Sequence, residues 1–592
     1  MFRTAIATTL FALAGAMSLA QDAPKTQPAG PALAPAPQLE PGQKWVFTFT
    51  NFGNDDRTDT VIALMKRAKA AGYNGMLVSD VKFDKWQLLG PELATNCKRF
   101  RAACTAEKMK IIAGVTPFGY TDAFLTHDPN LAEGLPVRNA VFVVKDGKLV
   151  PDAEGVALVN GSFEDSKGDA AAGWTMDAPG KMCFVDNAVA SEGKCSIRMD
   201  NPGAGGKDTV CRLWQKIKVK PWHYYHVSAM VKTAGWTGKD MRLMGFAGNP
   251  DGAGTVLTFQ PPAIKETMDW TRIDATIPSL GYSEISVYLG TWGGKEGKIW
   301  FDDVKIEPGG FVNVLRRDSL PLTVTSQDGK TTYVEGKDFS AVKDSKLVHD
   351  PNPGYFTLWH AAPVVTVPAG SALKDGQEAL ASYHFAAPAG KPGQLNMCMA
   401  EPKVYDIVKQ QIEWVKANVS PDMYLMGHDE IRVGGWDDSC VASGKTPGQL
   451  LADNIRKCTQ IIKQVDPGKP IVAWNDMFDP FHNAKDTGDF YLVKGKGPWS
   501  GSWEGLTSDV IIANWKQGGS PNSAESLKFF SDRGEQQLLA GYYDQDPSRI
   551  VTWLKIAKDT KGVVGVIYTT WKGDYSQLEK WIEHVNKFEA QK

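Results

Sequence analysis

Met423-Tyr424-Leu425-Met426-Gly427-His428-Asp429-Glu430 is the stretch on which the fold turns: four apolar residues, then glycine, then histidine and two acids. A short continuous apolar run of this kind reads as a strand buried on both faces, as in a parallel sheet. Upstream, Val404, Ile407, Val408, Ile412 and Val415 recur at helical spacing. Downstream, Thr446-Pro447 opens a second helix, with Leu451, Ile455, Cys458 and Ile462 on its apolar face. Helix, strand, helix is the repeating unit of an α/β protein.

The unit recurs on both sides. Trp45 to Phe49, Met76-Leu77-Val78 and Ile111 to Val115 are strand-like, with helical patterns between them, and Pro470 to Trp474, Val510 to Ala513, Leu538-Leu539-Ala540 and Val563 to Ile567 follow. Strands beginning near 44, 76, 111, 423, 471, 510, 538 and 563 make eight, the number a (β/α)8 TIM barrel needs. The count holds only if one further run, Leu380 to Phe385, lies outside the barrel. A doubly wound open sheet is the alternative. The expected organisation is a barrel over 44–138 and 376–592, interrupted by β-rich pieces at 139–155 and 310–375 around a β-sandwich at 156–309.

The start of the chain predicts export. Arg3, an apolar stretch from Ala5 to Ala16 and Ser18-Leu19-Ala20 have the layout of a signal peptide over 1–20, and a Pro/Ala-rich linker covers 21–43. A secreted or periplasmic location follows as an expectation. The 592 residues are 43% hydrophobic and 22% charged with a net charge of -2, which fits a globular chain and argues against nucleic acid or an anionic membrane surface as partner. No run beyond the signal segment is apolar for long enough to span a membrane. Eight cysteines show neither CxxC pairs nor zinc-ligand spacing with histidine, so no disulfide scaffold and no structural zinc are implied; two of Cys183, Cys195 and Cys211 could pair. Nineteen Trp and 58 Gly hint at carbohydrate, because indole faces stack on sugar rings.

In a barrel of this kind the chemistry sits where strands end. Those ends read Asp429-Glu430 on the fourth, Trp474-Asn475-Asp476 on the fifth, Trp515 after the sixth, Tyr543-Asp544 on the seventh and Thr569-Thr570-Trp571 on the eighth. Carboxylates and indoles converge on one rim. Glycoside cleavage needs a protonated carboxyl for the leaving oxygen and a group to stabilise the cationic anomeric carbon, and Asp429 and Glu430 offer both.

With those residues in place, the second half of the barrel resembles the family 20 glycoside hydrolases, the β-N-acetylhexosaminidases. That family ends its fourth strand in Gly-Gly-Asp-Glu, places a tyrosine on the seventh and surrounds the sugar with tryptophans, positions matched here by Gly427-His428-Asp429-Glu430, Tyr543, Trp474, Trp515 and Trp571. The resemblance implies a retaining reaction in which the substrate's 2-acetamido oxygen attacks the anomeric carbon. Asp429 would hold the acetamido N–H, Tyr543 its oxygen, and Glu430 would protonate the leaving group; no cofactor is implied. The sequence departs from the family at His428, in lacking a first-strand arginine, and in carrying Thr116-Pro117-Phe118-Gly119 without a histidine on the third strand. Asp476, Asp479, His482, Asn483 and Asp544 are the candidates for replacing the missing hydroxyl contacts, with His428 beside them, although a loop held by its own hydrogen bonds fits 479–483 equally well.

The sandwich has its own resemblance. Its end motifs, Leu158 to Glu164 and Ile299 to Val304, look like those of galactose-binding-like carbohydrate-binding modules, a resemblance that implies a structural calcium at Glu164 and Asp302; whether the sandwich binds glycan, and through which of Trp214, Trp236 and Trp292, the sequence leaves open. Gly497 to Gly505, with Trp499 and Trp503, reads as a flap over the substrate or as a packed Ω-loop. Two other functions stay open: a glycosidase with Asp544 or Asp546 as protein nucleophile, and a glycan-binding protein without activity.

Overall fold

The computed structural model describes residues 33–591 apart from 154–155, 203–209, 239–240, 249–254, 261, 292–295, 349–353, 389–393, 487–492 and 495–496, so the expected signal peptide and Trp292 lie outside the described residues. Eight parallel strands close into a barrel: β1 (Gln43–Phe49), β2 (Gly75–Ser79), β3 (Lys110–Val115), β4 (Met423–Met426), β5 (Ile471–Trp474), β6 (Val510–Asn514), β7 (Gln537–Tyr542) and β8 (Val563–Thr569). Closure comes from β1 pairing with β8, Trp45 opposite Ile567. All eight strands are those read from the sequence, and the open sheet is excluded.

Side chains alternate across the barrel wall. Trp45, Phe47, Leu77 and Ile112 fill the interior with Leu425 and Val472, while Val46, Met76, Val78 and Ile111 face the helices. Gly75 makes room for the interior, since a Cβ there would lie 2.6 Å from the Trp45 indole. Helices α1 (Asp55–Ala71), α2 (Pro91–Ala106) and α3 (Pro402–Asn418) precede β2, β3 and β4. The short α4 (Asp438–Ala442) and long α5 (Pro447–Val465) precede β5, and α6 (Ser523–Arg533), α7 (Arg549–Ala557) and α8 (Leu578–Glu589) accompany the last strands. Thr446 and Gln449 cap α5 reciprocally, as the Thr-Pro start predicts. Between β5 and β6 the described residues hold only 3-10 turns and a two-residue strand, so the strand–helix alternation is incomplete there.

The inserted region is larger than expected at both ends. Its first strand, Gly134–Lys145, pairs antiparallel with Glu378–Ala386, so the barrel resumes after 386 and not at 376. Leu380 to Phe385 therefore belongs to the insertion, as the strand count requires. Two five-stranded antiparallel sheets between Thr175 and Pro308 form the sandwich. Within it Glu164 accepts the N–H groups of Lys194 and Cys195, and Asp302 those of Ser191, Glu192 and Asp303. Both carboxylates thus brace the loop at 191–195 through its amide donors. Cys183, Cys195 and Cys211 are all free thiols, and Trp236 is buried.

Candidate active site

The C-terminal ends of the strands open into a cavity of about 520 Å³, within the ~300–1,000 Å³ of small-molecule sites. Trp474, Trp515 and Trp571 line it with Asp429, Glu430 and Tyr120 from the strand ends, and Gly354-Tyr355 line it from the insertion. Trp571 is 44% exposed, unusual for an indole, and its ring meets Phe47 at 5.3 Å and Trp474 at 6.5 Å. An exposed aromatic face at a cavity rim suits an apolar ring face carrying polar edges.

Three carboxyl groups crowd together here. Asp476, fully buried behind Glu430, accepts the Glu430 N–H at 2.9 Å, the Asn483 side-chain amide at 2.9 Å and the Trp515 indole N–H at 3.2 Å. Burial pushes its carboxyl up to about 6, against these donors. Desolvation, with Asp476 and Glu430 close by, pushes Asp429 well above the usual carboxylate range. Like charges crowded in a low-dielectric pocket oppose one another's ionisation, which favours a proton shared within the cluster. Glu430 receives the Tyr120 hydroxyl on one oxygen and faces the buried Arg432 guanidinium at 3.6 Å on the other. Burial beside Glu430 and Asp429 pushes the Tyr120 hydroxyl up, which keeps it a donor.

The backbone is strained where it delivers these groups. Glu430 has φ 50°, and Tyr542, Tyr543 and Asp544 have φ 76°, 52° and 57° in succession. Left-handed conformations at non-glycine residues cost of order 1–3 kcal/mol each and persist where surrounding contacts enforce them. Here the Tyr543 N–H bonds the Thr569 carbonyl at 2.9 Å and the Tyr542 hydroxyl bonds Asp574 at 2.6 Å. The strain turns the Tyr543 ring between Trp515 (6.2 Å) and Trp571 (5.7 Å). Its hydroxyl is buried without a hydrogen-bond partner, and burial next to Asp476, Asp429 and Glu430 keeps it protonated. Gly119 is required beside this cluster, because a Cβ would come within 1.8 Å of the Asp429 carbonyl oxygen.

No protein-family model matches this chain, and no curated protein matches it. Among solved structures it is similar to a rhamnosidase from Novosphingobium sp. PP1Y, 11% identical over 93% of this chain and 58% of that one, with a TM-score of 0.33. It is also similar to a family 16 carbohydrate-binding module, 16% identical over 25% of this chain and 96% of the module, TM-score 0.19. A CBM4 structure is 16% identical over 26% and 99% of the two chains, TM-score 0.20. A glycosidase and glycan-binding modules are thus among the structural neighbours.

Of the residues expected from sequence, Asp429, Glu430, Trp474, Trp515 and Trp571 line the cavity, and Tyr543 and Asp476 adjoin these lining residues, Tyr543 stacked on Trp515 and Asp476 bonded to Glu430. Others are corrected. His428 points away from the cavity: it is fully buried, stacks on Phe118 at 4.9 Å and bonds Asn454 at 2.8 Å, and burial lowers it to about 4. Alternation along the strand end sends it outward while its neighbour Asp429 faces in. Asp479 is enclosed by Asn475, Ser526 and the Phe481 N–H. His482 supports the edge of Trp515 at 4.3 Å, and Asn483 holds Asp476. Asp544 accepts from Thr570 and from the N–H groups of Trp571 (3.0 Å) and Lys572 (3.2 Å), bracing the loop that presents Trp571. The Gly497 to Gly505 stretch is no flap: Trp499 is fully buried, and Gly448 of α5 lies so near that a Cβ would be 2.1 Å from Ser500 O. Arg432, which the sequence suggests pairs with a barrel carboxylate or a sugar oxygen since no glycine-rich phosphate loop precedes it, faces Glu430. Sequence reading missed Tyr120, Asp80 and Asp84, which also line the cavity; the first follows the quoted third-strand end, and its proximity to Glu430 was not encoded locally.

Proposed function

We propose that the protein is a glycoside hydrolase that removes a terminal N-acetylhexosamine by substrate-assisted, retaining catalysis. The observation that supports this reading is the unpartnered, buried Tyr543 hydroxyl beside three crowded acids and two indoles. A buried hydroxyl without a partner costs free energy unless a ligand supplies one, and an acetamido oxygen is such an acceptor. Tyr543 binds and orients that oxygen for attack on the anomeric carbon. The proton retained by the acid cluster is drawn through Glu430 to the leaving oxygen, and the negative charge left on Asp429 faces the N–H of the forming oxazolinium. Tyr120 and Arg432 then stabilise the Glu430 carboxylate, which activates water in the second step. Orientation and charge stabilisation in an enclosed site supply the acceleration. The resemblance to family 20 enzymes supports the same assignment, as does a barrel read as (β/α)8. The signal-peptide pattern read at 1–20 supports an activity outside the cytoplasm, and the sandwich is read as a glycan-binding module.

The test is hydrolysis of aryl β-N-acetylhexosaminides. Glu430→Gln is expected to lower turnover by ~10²–10⁴-fold, the usual worth of a general acid, and a thiazoline that mimics the oxazoline is expected to inhibit. Equal turnover of acetylated and non-acetylated aryl glycosides, without thiazoline inhibition, refutes substrate assistance.

A further inference from the structure

We propose that the chain holds a structural zinc ion where the insertion meets the barrel, bound by Glu133, Cys398, Asp437 and Cys440. These four side chains come from separate places: Glu133 immediately before the strand Gly134–Lys145, Cys398 in the turn ahead of α3, and Asp437 and Cys440 at the cap and first turn of α4. All four are buried, none more than 1% exposed, and one donor atom from each lies within 4.8 Å of all the others. The two Sγ atoms are 3.7 Å apart, and Cys440 Sγ is 3.4 Å from Glu133 Oε2. Tetrahedral zinc with bonds of ~2.3 Å to sulfur and ~2.0 Å to oxygen has S–S edges of about 3.8 Å and S–O edges of about 3.5 Å. The two separations match those edges. A disulfide, by contrast, would need the sulfurs at ~2.05 Å.

The surroundings are those of a metal site as well. Glu133 Oε1 accepts the Trp436 N–H at 2.6 Å and the Asp437 N–H at 3.3 Å, which leaves Oε2 on the thiol side. Asp437 accepts the Cys440 N–H at 2.9 Å and pairs with Arg317 at 2.5 Å. Outer partners of this kind fix the orientation of metal-binding carboxylates. Arg317 also reaches Glu401 at 3.3 Å, so one guanidinium serves several acids, and a dication compensates the remaining charge while favouring the thiolate forms. Two thiolates select zinc over calcium or magnesium.

The site would pin the loop that carries the catalytic acid. Asn396, two residues before Cys398, accepts the N–H groups of Arg432 and Val433 at 3.2 and 2.9 Å, so the ion clamps both ends of the segment between Glu430 and α4. The experiment uses the full chain, reconstituted with zinc under reducing conditions, desalted and assayed by plasma mass spectrometry. About one zinc per chain is expected, falling about tenfold or more in Cys398→Ser and Glu133→Gln and unchanged in the control Cys195→Ser. Cobalt substituted for zinc should give a thiolate-to-cobalt charge-transfer band, a readout on wild-type protein that needs no variant to fold. Folded wild-type protein that retains no stoichiometric zinc and gives no such band overturns the assignment. So does a Cys398–Cys440 cross-link in protein isolated from its native compartment, or loss of zinc from Cys195→Ser alone.

Discussion

Asp476→Asn is expected to change the pH dependence of stability more than stability at any one pH. The carboxyl stands at about 6 in the folded chain against an ordinary 3.8, so the folded state binds its proton more tightly than the unfolded state does. The contribution to stability is therefore full below about pH 4 and is lost as the pH rises through about 6. A difference of this size corresponds to about 3 kcal/mol, at ~1.4 kcal/mol per tenfold change in proton affinity. Asparagine does not titrate, and it also removes one of the charges that raise Asp429. A second effect opposes it: three N–H donors converge on Asp476, and an amide offers them a single oxygen. One donor facing the new NH2 costs ~1–3 kcal/mol, independent of pH. The variant should thus melt well below wild type at pH 4.5 and close to it, or above it, at pH 8, with thermal unfolding followed by tryptophan fluorescence. A melting difference that is the same at both values refutes the account of a strained, proton-holding cluster.

Tyr543→Phe should cost ~10²–10³-fold in turnover of an N-acetylated substrate, the usual loss for one oxyanion-type donor, and little in turnover of a non-acetylated one. Tyr120→Phe removes a donor from Glu430; at ~1.5–3 kcal/mol for a hydrogen bond to a charged group, kcat/KM should fall about tenfold or more with little change in melting temperature. Asp544→Ala and Trp571→Ala should both raise KM and leave kcat nearly unchanged, because Asp544 braces the Trp571 loop. Covalent trapping of a fluorosugar on Asp544 would instead identify it as a nucleophile.

The eight barrel strands were legible because strands buried on both faces are written as short apolar runs, and each began within one residue of where the sequence placed it. The insertion boundaries were less so. Gly134 to Arg138 continues the apolar text after β3 but pairs with Glu378–Ala386, a partner more than 240 residues away that no local pattern names.

The sequence by itself determined the order of strands and helices, the acids, the tyrosine and the indoles at the strand ends, because these depend on periodicity and on residues a few places apart. Tertiary structure decided which of them share a space. It turned His428 out and Asp429 in, set Tyr120 against Glu430, reassigned Asp479, Asn483 and Asp544 to bracing roles, and gathered Glu133, Cys398, Asp437 and Cys440 from across the chain. Such groupings follow from barrel closure and the docking of the insertion, which bring distant segments within a few ångströms, and neither is written in the spacing of neighbouring residues.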